Sequence, residues 1–367
     1  MSCYKLIAFI IYIIISLSFS NHTLAQEINW KDSNLKVLTQ HILPRYKQLN
    51  IASEQMRLSL ENAKETCSDF KDIDQWRIHF KTLFQDWASI QHIRMGPITF
   101  LERYERLHFW PDKHNRANRQ LQQLLNNYDD TLTVETFHKK SVALQGLGAL
   151  EKLLFSSWDT TNTSQQTLCD LMLLIANNIV QIAQSTEGSW IKPPLKFAEE
   201  FNSAGQAAAY FMTDAEIAQQ LFVGMRTQLA IVEELKLKRV FIELKKTNEV
   251  RVNPKRLEAW RSRQSLDLIK ENIYAIKGLY TLGFSSHLNK RQPKLHTQIT
   301  QSFHDVEKIL KSFNISLYDL LNDNKNKEQL NLFKSLIQEV QVLNQRISNE
   351  LPQQLGLGVS FNALDGD

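Results

Sequence analysis

Val142 to Phe155, VALQGLGALEKLLF, is an apolar stretch with two close glycines and one carboxylate, and its reading decides both the fold and the site. Apolar residues three and four apart predict a helix. On it Leu144, Gly148, Glu151 and Phe155 form one stripe, and Ala143, Leu147, Leu150 and Leu154 form the next. Glu151 therefore lies between apolar faces. A buried ionised carboxylate is normally paired, protonated or bound to a cation. Gly146 and Gly148 each cost a helix interior roughly 0.5 to 1 kcal/mol relative to alanine, so something must approach their backbone closely. Two readings follow: a tight helix crossing with Glu151 paired to a nearby arginine, and a ligand or metal site.

The same periodicity runs through most of the chain. Gly and Pro number only 11 and 8 in 367 residues, and no hairpin signal interrupts the pattern. Helices are expected at 33–66, 72–94, 98–108, 113–128, 134–156 and 164–187. Beyond these they are expected at 196–212, 214–245, 254–286, 295–312, 316–322 and 325–350. An all-α protein follows. Gly188 and the pair Pro193-Pro194 in EGSWIKPP mark a boundary, which gives a first bundle at 26–190 and a second at 191–367, packed together.

Residues 1–25 read as a cleaved signal peptide. Lys5 precedes the run LIAFIIYIIISLSFS, and Thr23-Leu24-Ala25 offers small residues to a signal peptidase. The apolar core is shorter than the about 20 residues a membrane span needs, so export is expected, with no transmembrane segment in the mature chain. Lys5 is the one charge lost, which changes 43 basic residues against 39 acidic to 42 against 39. That near balance gives no reason to expect nucleic acid as a partner. Cys67 and Cys169 remain, and an isolated pair in an oxidising compartment is expected to form a disulfide.

VALQGLGALEKLLF resembles the signature of the imelysin-like family of bacterial periplasmic proteins, in which Gly-x-His-x-x-Glu sits on a helix. Gly146, Gly148 and Glu151 align with it, and Gly148 stands where the family has its histidine. IRMGPI at Ile93 to Ile98, FWPDK at Phe109 to Lys113, EAWRSRQS at Glu258 to Ser265 and FNALDGD at Phe361 to Asp367 carry the likeness across nearly the whole mature chain. The resemblance implies two related helical domains with a site near their junction, and a role in iron uptake or iron-responsive physiology. It also implies a peptidase label.

The residues weigh against peptidase chemistry. Zinc catalysis needs three protein ligands and an open position, and this chain has neither HExxH nor the motif histidine. No GxSxG elbow is present. A metallopeptidase-like hydrolase therefore ranks below a binding protein, and a non-catalytic binder of a periplasmic or outer-membrane protein is the other alternative. Hard Fe(III) would suit carboxylates and hydroxyls, yet Glu151 is the single candidate metal ligand and no cofactor is certain. The expected ligand site is a polar cleft in which Arg94, Asp112, Gly146, Gly148 and Glu151 of the first bundle face Arg261, Ser262 and Ser265 of the second. Arg94 and Arg261 are the expected partners of Glu151. Asp112 also suits a helix start, and Ser262 and Ser265, three residues apart, share one helix face.

Overall fold

The structure is a computed structural model that describes residues 28–63, 71–129, 131–158, 164–207, 209–244, 249–323 and 325–358. The expected signal peptide, Cys67 and FNALDGD lie outside the described residues.

Helix Ile73–Ile90 shows how the sequence builds the core. Trp76, Phe80, Phe84 and Trp87 recur at four, four and three residues, so they share one face, and all four are buried. That face packs on Leu43–Asn62 and on Ser265–Gly283, while Leu43–Asn62 packs on the long helix Gln165–Ile191. Asp214–Ala230 lies against Ser265–Gly283, and Pro293–Ser312 pairs with Lys327–Gln345. One hydrophobic core runs through both halves of the chain. The result is an all-α helical bundle. Gln165–Ile191 is long and apolar enough to cross a bilayer, but most of it is buried inside the bundle.

Two prolines are absorbed by locally widened turns. Lys31–Val37 passes through a π turn, Leu38–Ile42, into Leu43–Asn62, whose second residue is Pro44. A second π turn, Arg346–Glu350, precedes Pro352 in Leu351–Leu355. Proline lacks an N–H and its ring crowds the carbonyl four residues back, so a wider turn just before it keeps the helix continuous. A third π turn, Ile231–Leu237, has no proline and carries Lys236 into the core.

Several expected boundaries are corrected. The long helix runs past Gly188 to Ile191 and ends just before the proline pair, which a helix cannot continue through, whereas a single glycine weakens a helix without stopping it. The helix expected over 134–156 is three pieces: Val134–Phe137 capped by Thr133, a short turn at Val142–Leu144, and Leu147–Phe155. The helix expected over 214–245 gives way to a strand, Phe241–Leu244, paired antiparallel with Glu249–Val252. Valine, isoleucine and phenylalanine favour that pleated surface. The helix expected over 254–286 begins only at Ser265, and an irregular turn precedes it.

Candidate functional site

Gly146 caps Leu147–Phe155 rather than lying inside it. A Cβ there would stand 2.2 Å from the Leu107 carbonyl oxygen and 2.5 Å from that of Arg106, so the neighbouring backbone requires glycine. Gly148, in the first turn, is different: a Cβ would find nothing nearer than the Phe109 oxygen at 3.9 Å.

Glu151 sits one turn further and is 5% exposed. Its Oε1 accepts the Ser262 backbone N–H at 3.0 Å and the Ser262 hydroxyl at 2.9 Å. Burial pushes its carboxyl above the usual range, against the pull of these two donors and of the Arg261 and His108 charges. A residue of the first half is thus fastened to a turn of the second.

That turn is shaped by tertiary contacts. Ala259 and Arg263 adopt left-handed backbone, φ 51° and 63°, with neither glycine's freedom nor asparagine's tolerance. Such residues persist where surroundings over-determine them. Here Arg263 pairs with Asp319 at 2.9 Å, Trp260 stacks on Tyr318 with ring centroids 5.4 Å apart, and Ser262 holds Glu151. Arg261 lies over the indole of Trp260, 4.2 Å from its centroid.

A cleft of about 700 Å³ opens beside Glu151. Its walls come from the FWPDK segment, from the start of the Glu151 helix, and from Arg239 and the Asn253–Arg261 turn. Asp112 lines it, but both carboxylate oxygens already cap the helix Arg116–Asn126, accepting the backbone N–H of Arg116 at 2.8 Å and of Ala117 at 2.9 Å.

Of the residues singled out in the sequence, Asp112, Gly146, Gly148, Glu151 and Arg261 line this cleft, and Ser262 stands behind Glu151. Arg94 and Ser265 lie elsewhere. Arg94 stacks on the Tyr104 ring, 4.3 Å from the centroid, and donates to its hydroxyl, so it is not the partner of Glu151. Ser265 shares no helix face with Ser262, because the helix starts at Ser265 itself and its hydroxyl donates to the Glu258 carbonyl. The partner of Glu151 is a serine and its backbone, not an arginine.

Two features escape sequence reasoning. Lys152, next to Glu151, is 5% exposed and lines the cleft; burial and then Arg261 push its amine down to about 8, against Asp112 and Glu151. Glu258, quoted within EAWRSRQS, is buried between His108 at 3.1 Å and Lys236 at 2.6 Å. Burial would raise its carboxyl, but Lys236 and His108 hold it well below the usual range. Lys236 also donates to Asn272 at 2.6 Å and to Gln91 at 3.3 Å, so the relay continues into the core.

The residues present do not fit a resident metal ion. Among the described residues no three His, Cys, Asp or Glu side chains gather as a ligand set. Glu151 Oε1 serves Ser262, Asp112 serves a helix N-terminus, and the adjoining Lys152 and Arg261 repel a bare cation.

The sequence family described as imelysin, Peptidase_M75, matches residues 42–347. No curated protein matches the chain. Among solved structures, an imelysin-like protein from Psychrobacter arcticum 273-4 superposes with a TM-score of 0.71 at 15% identity, covering 91% of this chain and 99% of that one. A putative iron-regulated protein A precursor from Parabacteroides distasonis ATCC 8503 gives 0.65 at 13% identity, covering 88% and 97%. At these identities the likeness shows the fold, and with the match over residues 42–347 the conclusion is that the chain belongs to the imelysin family.

Proposed function

We propose that this chain is an exported, periplasmic binding protein of iron-linked physiology, and that the cleft beside Glu151, at the junction of two bundles divided near residue 190, holds its ligand. The carrying observation is that the carboxylate of the family motif is spent on construction: Glu151 pins the Asn253–Arg261 wall to the first half through Ser262. A carboxylate so committed is a poor general base, which favours binding over hydrolysis. Clefts built between two parts of a chain are preferred ligand sites. The connection to iron rests on family membership and on the relative described as iron-regulated. Export rests on the character of residues 1–25.

The test is native mass spectrometry of protein recovered from its own periplasm, set beside a Gly148→Phe variant. A Cβ on Gly148 meets only the Phe109 oxygen, at 3.9 Å, and Gly148 lines the cleft, so a phenylalanine there should project its ring into the cleft. The expected result is an adduct on the wild type that the variant lacks, and a deletion strain whose cellular iron is restored by the wild type alone. Equal restoration by Gly148→Phe would remove the cleft from the function.

A further inference from the structure

We propose that the cleft takes a small multivalent oxyanion, a polycarboxylate or a phosphate compound, rather than a bare metal cation; the proposal rests on the cleft being the ligand site. Side chains of Lys152, Arg239, Lys255, Arg256 and Arg261 line it, and among the described residues none of the five has a carboxylate within ion-pair distance. The two carboxylates in the lining attract Lys152 and Arg261 without forming an ion pair with either. Asp112 directs both oxygens to backbone N–H groups, and Glu151 Oε1 accepts from Ser262.

Lys152 is the sharpest of these observations. Lys152 as a residue is 5% exposed, its ammonium has no ion-pair partner among the described residues, and Arg261 repels it while Asp112 and Glu151 attract it. An anion in the cleft would supply the missing partner to both. Aromatic rings lie beside two of the arginines. Arg261 lies over Trp260, and Arg239 lies 5.8 Å from the centroid of Trp110. Contact with an aromatic ring uses no N–H donor that bidentate oxyanion binding needs when the guanidinium lies flat on it. Lys255 approaches the same Trp260 ring at 5.6 Å. The cations come from three separate stretches of chain, so folding alone brings them together. Iron entering this cleft would do so inside an anionic chelate.

Isothermal titration of the full mature chain at low salt tests the idea, with citrate and pyrophosphate as oxyanion probes and zinc or ferric chloride as cation probes. Citrate or pyrophosphate should bind, more weakly as salt rises. Binding of citrate alone identifies a carboxylate site, and of pyrophosphate alone a phosphate site. Lys152→Met and Arg261→Gln should each weaken binding by about tenfold or more, the worth of one charge-assisted hydrogen bond. Lys152→Met removes a desolvated charge, so its melting temperature should hold, which separates lost binding from lost fold. No oxyanion binding, or binding unchanged in both variants, overturns the proposal. Metal chloride binding that Glu151→Gln abolishes also overturns it while leaving the cleft as the site. Oxyanion binding that Gly148→Phe does not disturb places the anion elsewhere and overturns both readings.

Discussion

Ser262→Ala isolates one half of the Glu151 anchor. Ser262 gives Glu151 Oε1 a backbone donor at 3.0 Å and a hydroxyl at 2.9 Å, and the substitution removes only the hydroxyl. A hydrogen bond to a charged group contributes about 1.5–3 kcal/mol. With the backbone donor still in place, a loss near the lower end, about 1.5 kcal/mol, is expected. Glu151→Ala removes both bonds, orphans a buried N–H at about 1–3 kcal/mol and opens a cavity, but relieves the cost of a buried carboxylate; the net loss should be about 2–4 kcal/mol. The Ser262 hydroxyl keeps its second acceptor, the Ala259 carbonyl at 3.2 Å, so once Glu151 is gone Ser262→Ala should cost little more. The double mutant therefore couples by about 1–1.5 kcal/mol. Urea unfolding, followed in parallel by tryptophan fluorescence and far-ultraviolet dichroism, reads the cycle from midpoints at constant slope. A parallel cycle of Glu151→Ala with Arg94→Ala should be additive to within about 0.5 kcal/mol, because Arg94 is engaged with Tyr104. Additivity between Glu151 and Ser262, or strong coupling to Arg94, would refute the assignment.

Gly146→Ala should destabilise by several times the roughly 1 kcal/mol that a glycine-to-alanine change usually moves, since its Cβ would strike the Leu107 carbonyl, whereas Gly148→Ala should be neutral or slightly stabilising; thermal melts of the two compare them directly. Asp86 has its carboxyl raised to about 6 by burial and then by Glu271, with Gln48 opposing. The folded protein thus binds a proton that the unfolded chain releases near 4, so ionised Asp86 weakens the fold at neutral pH and the penalty fades as pH falls through 6. Asp86→Asn should accordingly raise the melting temperature at pH 7.5 and lose that gain by pH 4.5; a gain that grows toward acid would contradict the sign. Cys67 and Cys169 should resist alkylation in unreduced, unfolded protein, and two labelled thiols by intact mass would dismiss the bridge.

Helical architecture was legible because it is written in short-range periodicity. Trp76, Phe80, Phe84 and Trp87 declare a buried face with no knowledge of what covers it. Even the proline at 44 could be read across, since apolar spacing resumes at Tyr46 and Leu49. What failed was set by distant contacts. The turn before Ser265 contains no glycine, and nothing local announces left-handed backbone at Ala259 and Arg263; Asp319, Tyr318 and Glu151 impose it. The hairpin was lost for a smaller reason. Four-residue strands offer too few alternations to outweigh the apolar run Val240, Phe241, Ile242, which continues a helical pattern equally well.

The site repeats this division. Glu151, Asp112 and Arg261 stood out as unexplained polar residues in apolar company, and the fold brings them to one cleft. Pairing Glu151 with an arginine looked right because opposite charges attract, but a backbone N–H and a hydroxyl serve a buried carboxylate without desolvating a second charge. Lys152 is not legible in the sequence, because its position, one residue after Glu151, turns it off the motif stripe, and a lysine off the stripe is ordinarily solvated. It is withdrawn from water here because the Asn253–Arg261 turn, pinned through Ser262, stands across the cleft from it. The bond that fastens Glu151 therefore also holds Arg256 and Arg261 in the lining of the cleft that Lys152 shares, so loosening it by Ser262→Ala should weaken oxyanion binding through residues that the mutation never touches.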